Sequence, residues 1–158
     1  GLDILTGLWS GKTFNYTGKH YQIKNAHFMP TPVQQPRIPI WVGGFWGNKA
    51  PFHRMAKWDG MFPLFEVVGP EQNPVFKEAV EYVCQLRPHP DKTFDIIKVG
   101  VSPTDDLVES HNRIQPAIDA GATWWLEVLM AEIYGERIDQ PAAFDVLRQR
   151  VLAGPPRF

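Results

Sequence analysis

The feature that most constrains this fold is a unit that occurs four times along the chain, a short apolar strand followed by an amphipathic helix. Strands that are linked through helices pair in parallel through right-handed crossovers, because only that connection packs the helix back onto the sheet. The sequence therefore predicts an α/β fold, a partial TIM barrel in which four βα units make half of an eight-unit barrel. The predicted strands are 38–43, 60–65, 94–101 and 123–129.

The residues before the first unit predict a helix end and then a β-hairpin. Leu2, Leu5 and Leu8 share one face of the helix, and 13–23 alternates in polarity around a turn at Gly18. Because the helix begins without a capping residue, we expect the chain to continue something longer. The predicted divisions are 1–37 for the helix end and hairpin, 38–154 for the half-barrel and 155–158 for a tail.

A glycine turn follows the first strand of the half-barrel. Gly43 and Gly44 are predicted to end that strand, and a helix from about Asn48 to Trp58 follows. A helix that starts after such a turn points free N–H groups outward, which suits a phosphate. The alternative is a plain strand-to-helix turn that needs glycine, and the residues alone favour that alternative.

Ligands of parallel α/β folds bind beyond the carboxyl ends of the strands, and here that rim is rich in aromatic residues. Phe45, Trp46, Phe62 and Phe65 fall at these positions. Such walls suit a flat ring or an apolar substrate, but they are equally compatible with packing under loops or in an oligomer interface. Glu127 lies within the fourth strand, so it needs a partner if it is buried.

The segment Pro32–Gly44, followed by a helix and then Trp-Asp-Gly at 58–60, resembles the second half of a luciferase-like monooxygenase. This is the bacterial-luciferase superfamily of flavin- or deazaflavin-dependent oxidoreductases. Two upstream patterns are similar to the same family, Leu-x-x-Leu-Trp-x-Gly at 5–11 and a hairpin with Phe, Gly, His and Tyr at 14–21.

The resemblance implies that the four units correspond to strands five to eight of a (β/α)8 barrel. It further implies that the backbone of the glycine turn binds part of FMN or of a deazaflavin coenzyme, commonly the phosphate end. The family often has Ser or Thr in this turn, where this chain has Phe45 and Trp46. The acid–base residues usually come from strands one to four, so no catalytic residue is assigned. The implied cofactor-binding residues are Gly43, Gly44, Phe45, Gly47 and Asn48, and the implied substrate contacts are Trp46 and Phe62.

The composition of the chain limits the classes of protein and of binding site that are compatible with it. A net charge of −1 gives no indication of a nucleic-acid partner, and no stretch has the 18 apolar residues of a membrane span. The single cysteine, Cys84, is placed on a helical apolar face and is predicted to be a buried structural thiol in a cytoplasmic protein. The five histidines lack metal-ligand spacing, so we expect no metal site.

The sequence leaves two functions open, while the hairpin disfavours a third, another βα enzyme with a phosphate ligand. The first is a flavin- or deazaflavin-dependent oxidoreductase acting on a small molecule, of which this chain is the C-terminal half. The second is a non-catalytic half-barrel that self-associates and at most binds an anion in the turn at Gly43 and Gly44. In either case the open sheet edges predict a partner, either a second copy in a homodimer or a missing N-terminal half.

Overall fold

A computed structural model describes residues 1–66, 69, 72–103 and 106–155. The chain forms two compact units, Gly1–Pro39 and the residues from Ile40 onward. The first unit contains the predicted helix and hairpin, and the hairpin turn is closed by a 2.9 Å hydrogen bond from Gly18 N to Tyr21 O. Its elements are helix α1 (Leu2–Trp9) and the antiparallel strands β1 (Phe14–Thr17) and β2 (Gln22–Ala26).

The second unit is a four-stranded parallel sheet with helices between the strands, as the sequence predicts. The strands follow in sequence order across the sheet, so β3 and β6 are its two edges and the barrel is not closed. The elements are β3 (Trp41–Phe45), α2 (Lys49–Met55), β4 (Gly60–Leu64), α3 (Gln72–Leu86), β5 (Asp95–Gly100), α4 (Leu107–Asp119), β6 (Trp124–Glu127), a 3₁₀ turn (Ala131–Tyr134) and α5 (Pro141–Ala153).

The two faces of this sheet differ in what covers them. Val42, Met61 and Ile96 point to the face that carries the helices, and all three are buried. The helices contribute buried side chains to the same layer, including Phe52 and Phe76, which are fully buried. We call this side the helix face, and the opposite side, which includes Trp41 and Phe62, the open face.

The buried stripe of α4 differs from its predicted stripe. The sequence places Leu107, His111 and Ile118 inward with Ile114, but the structure buries Ser110, Ile114 and Ala117. Counting apolar residues selects the wrong face here because the buried Ser110 hydroxyl is satisfied by donating to the Pro103 carbonyl. Three capping-type residues at 104–106 predict the start of this helix. Asp106 caps it by accepting from Glu109 N at 2.8 Å, while 104 and 105 lie outside the described residues.

Two further predictions of burial are wrong. Cys84 is exposed, because it lies one position round α3 from the buried Val83 and so points away from the core. In α5 the sequence predicts that Phe144, Leu147 and Val151 point inward, but Phe144 and Val151 are exposed and Leu147 is half-buried. Arg150 is buried instead. No helix in the described ranges is both long enough and apolar enough to cross a membrane.

Candidate functional site

The turn after β3 lies at the carboxyl end of the sheet, as predicted, but the strand ends later than predicted. It continues through both glycines to Phe45, and Gly43 and Gly44 pair with Phe62 and Pro63 of β4. The left-handed residue of the turn is Gly47, with φ of +97°. Glycine is therefore needed at 47 for the backbone conformation, whereas neither Gly43 nor Gly44 has a positive φ.

Gly43 and Gly44 face opposite sides of the sheet. A Cβ at Gly44 would stand 2.3 Å from Cβ of Pro51, so the first turn of α2 occupies the space of a side chain. A Cβ at Gly43 would meet only Phe62, with Cδ1 at 3.6 Å and the carbonyl oxygen at 3.7 Å, which is ordinary contact. Gly44 thus permits close helix packing, whereas Gly43 leaves a bare patch on the open face.

The amides of the turn are largely engaged within the protein. Trp46 N donates to Leu64 O at 2.8 Å, and Asn48 N donates to Phe45 O at 3.4 Å. The Asn48 side chain caps α2 by accepting from Ala50 N at 3.2 Å. The turn therefore offers a phosphate fewer free donors than the sequence pattern predicts.

Trp46 lies on the helix face, away from the open face. Its ring packs edge-on against Phe52, with centroids 4.9 Å apart, and against Tyr82 at 5.7 Å. The hydroxyl of Tyr82 in turn lies 3.2 Å from Nε2 of His53. Of the residues predicted to bind cofactor or substrate, only Gly43, Phe45 and Phe62 come together on the open face.

The open face has one closed end and one accessible end. At the amino end, Asp95 accepts hydrogen bonds from both Trp41 Nε1, at 2.8 Å, and Trp124 Nε1, at 3.1 Å, and the two indole rings lie 5.4 Å apart. At the carboxyl end, Phe45 is 55% exposed and pairs with Leu64, while the half-buried Phe62 pairs with Gly43. The accessible end therefore presents two aromatic side chains and the bare backbone at Gly43.

Glu127 has the partner that its burial requires. Its carboxylate accepts from Ser102 N and Ser102 Oγ, both at 2.8 Å, and from Trp125 Nε1 at 2.9 Å. Arg150 completes the cluster, with a guanidinium nitrogen 3.3 Å from Glu127 Oε1. This ion pair explains why α5 turns an arginine inward, and it joins α5 to the carboxyl end of β6.

Lys98 is a buried cation that none of the sequence motifs includes. It lies in β5, is 4% exposed, and extends over the rings of Phe76, at 5.1 Å, and Phe65, at 5.7 Å. Burial lowers the pKa of its ammonium group from 10.5 to about 8. The sequence does contain a signal for it, since a lysine inside the run Asp95–Gly100 interrupts an otherwise apolar buried strand.

Within the described residues, no group of three His, Cys, Asp or Glu side chains could hold a metal ion.

Comparison with known protein families identifies one family whose model matches this chain. The model of the luciferase-like monooxygenases matches residues 2–93, which is more than half of the chain. The chain belongs to the luciferase-like monooxygenase family.

The match confirms the family that the sequence motifs indicated, and it spans both the hairpin and the strand that carries Gly43. Luciferase-like monooxygenases are generally oxidoreductases and typically use flavin-type cofactors. The parallel four-stranded sheet is consistent with a partial TIM-barrel fold in this family.

Proposed function

We propose that this chain is the C-terminal half of a flavin-dependent oxidoreductase of the monooxygenase type. It supplies strands five to eight of the barrel. The observation that carries the proposal is the accessible carboxyl end of the open face, where the side chain of Phe45 is exposed, that of Phe62 is half-buried and Gly43 has none. Carboxyl ends of parallel strands are where such folds bind their ligands. The family assignment supplies the class of cofactor.

The residues of this surface fit the ring of a flavin better than its phosphate. The bare backbone at Gly43 admits close approach of a planar ring, and the Phe45 side chain can stack or contact its edge. The turn at Gly47 and Asn48 is the proposed position of the phosphate end, with FMN or a deazaflavin coenzyme as the two choices. Gly44 and Trp46 are left out of the proposed contacts, because both face the helices.

The cofactor, when bound, supplies the redox chemistry, through oxygen activation by a reduced flavin or hydride transfer by a deazaflavin. The role of this chain's residues is to orient the ring and to exclude water from one side of it. Phe45 and Phe62 provide the apolar wall for this role, and the small-molecule substrate lies against the same surface.

Removal of the Phe45 ring should weaken flavin binding. The variant Phe45→Ala is expected to bind FMN or the deazaflavin coenzyme about tenfold more weakly than the wild type, since it loses one aromatic contact and its buried area. Binding is measured by the change in cofactor fluorescence on titration with protein. Phe144→Ala is the matched control, because Phe144 is an exposed phenylalanine on α5. Equal weakening in both variants, or no fluorescence change with either cofactor, contradicts the proposed site.

The two sheet edges and the open face require a partner, and we propose a second half-barrel of βα units that pairs with β3 and β6. Trp124, on the open face of the edge strand β6, is 49% exposed in the single chain, and the unpaired N–H and C=O groups of a sheet edge can pair with a strand of another chain. Light scattering at micromolar concentration is expected to give twice the chain mass of 18.0 kDa, with the second copy as the partner. A stable monomer that is folded by circular dichroism rules out self-association as the means of closure.

The alternative function is a non-catalytic self-associating half-barrel that at most binds an anion at the turn. One observation favours it. Among the described residues of the open face, the ionisable side chain is Asp95, and its carboxylate is engaged by two tryptophans at the amino end. Turnover of NAD(P)H or oxygen in the presence of added flavin separates the two functions, because the non-catalytic form has none.

A further inference from the structure

The helix face of the sheet contains a cavity of about 740 Å³. It lies at the carboxyl ends of β4, β5 and β6, between α3 and α4. Its wall is mainly apolar and includes Phe65, Val101, Trp125, Met130 and Ile133. The volume is within the range of pockets that bind small organic molecules. Gly43, Phe45 and Phe62 do not line this cavity, so a ligand in it would occupy a different site from the proposed flavin surface.

Lys98 is the one buried charged group in the described wall of this cavity. Its ammonium donates to the side-chain oxygen of Gln72 and lies over the rings of Phe65 and Phe76. In the described part of the chain no salt bridge joins Lys98 to a carboxylate. A buried ammonium with only one hydrogen-bond acceptor and two ring faces is incompletely compensated for its loss of water.

The other charged side chains of the described wall do not compensate the charge of the Lys98 ammonium. Glu109 and Arg113, one turn apart on α4, pair with each other at 2.7 Å and are each nearly half exposed. The remaining polar groups of the described wall, Gln72, Asn73 and Asn112, do not titrate. The cavity therefore combines a positive charge at depth, an apolar wall and a neutral polar rim.

We propose that this cavity binds a small amphipathic carboxylate. Its head group pairs with the Lys98 ammonium, and its apolar chain lies against Trp125, Met130 and Ile133. The anion supplies the negative charge that Lys98 lacks among the described residues of the wall, and the apolar chain removes apolar wall from water. Because the head group lies in a low-dielectric site, the ion pair is stronger there than the exposed pair on α4.

Isothermal titration calorimetry with octanoate as the probe tests this site. The wild-type chain is expected to bind octanoate, and Lys98→Met to bind it about 10- to 100-fold more weakly, since one charge-assisted contact is lost. Lys77→Met is the matched control, because Lys77 is exposed on the outer side of α3 and its loss changes the net charge equally. Octan-1-ol, which has no charge, is expected to bind the wild type and Lys98→Met with affinities within about twofold of each other.

The pH dependence of octanoate binding to the wild-type protein is a second test of the proposal. Octanoate stays ionised above neutral pH, while the ammonium is lost as the pH rises through the Lys98 pKa of about 8. Octanoate affinity is therefore expected to be constant between about pH 6 and 7.5, and to fall about tenfold per pH unit above about pH 8. Equal octanoate affinity in the wild type and Lys98→Met, a pH-independent affinity, or no heat of binding from folded wild-type protein at millimolar octanoate overturns the proposal.

Discussion

The variant Gly44→Ala is expected to lose about 3 kcal/mol of its free energy of unfolding, because the new methyl group overlaps a neighbouring residue. The added Cβ would be 2.3 Å from Cβ and 2.9 Å from Cγ of Pro51, and 3.6 Å from the Met55 methyl. Pro51 is buried, and its ring fixes its backbone, so it cannot rotate away from the new group. The overlap with Pro51 can be removed only if α2 moves away from β3, and that movement opens the core around Phe52. Urea unfolding followed by circular dichroism measures the loss.

Gly43→Ala is the control for this prediction, one residue along the same strand. Its Cβ would make only ordinary contacts with Phe62, and its backbone is not left-handed. We expect stability to be unchanged or higher by about 0.5 kcal/mol, because alanine reduces the entropy of the unfolded chain. If the two variants lose equal stability, the opposite orientation of the two glycines is wrong.

This pair of glycines shows what sequence reasoning can and cannot resolve. The run of β-branched residues before Gly43 and the helical spacing of Phe52 and Met55 correctly predict a strand, a turn and a helix. Those patterns depend on local periodicity, which every strand and helix must satisfy. The side to which each glycine points depends on register and on where α2 packs. The motif therefore presents Gly43 and Gly44 as one ligand cradle, although one of them serves helix packing.

Sequence motifs also fail to indicate the cavity around Lys98, because its wall depends on how distant elements pack. Its wall comes from three strands, two helices and the segment after β6, and no short motif contains such a set. The residue that could have indicated it is Lys98, since a buried lysine within a strand is costly unless something compensates its charge. The wrong inward faces of α4 and α5 have the same origin, because Ser110 and Arg150 are buried through hydrogen bonds to residues distant in sequence or outside their own helix.

The second large effect that we predict is a loss of stability when the hydrogen-bonded cluster around Glu127 is disrupted. The variant Glu127→Leu is expected to lose about 4 kcal/mol of stability, because three neutral donors and the Arg150 guanidinium lose their shared acceptor together. Arg150→Met is expected to lose less, about 3 kcal/mol, since the carboxylate keeps its hydrogen bonds from Ser102 and Trp125. Both losses of stability should appear as lower urea midpoints of unfolding, with an unchanged dependence of the unfolding free energy on urea concentration.

The asymmetry between the two variants tests whether hydrogen bonds or the ion pair hold this cluster. Arg137→Met is the control for a general loss of charge, because the Arg137–Asp139 pair is 79% and 56% exposed and should change stability by less than about 1 kcal/mol. If Arg150→Met costs as much as Glu127→Leu, the charge pair dominates and the donors from Ser102 and Trp125 contribute little. If neither variant differs from Arg137→Met, the cluster is not the link between α5 and the end of β6, and the burial of Arg150 needs another explanation.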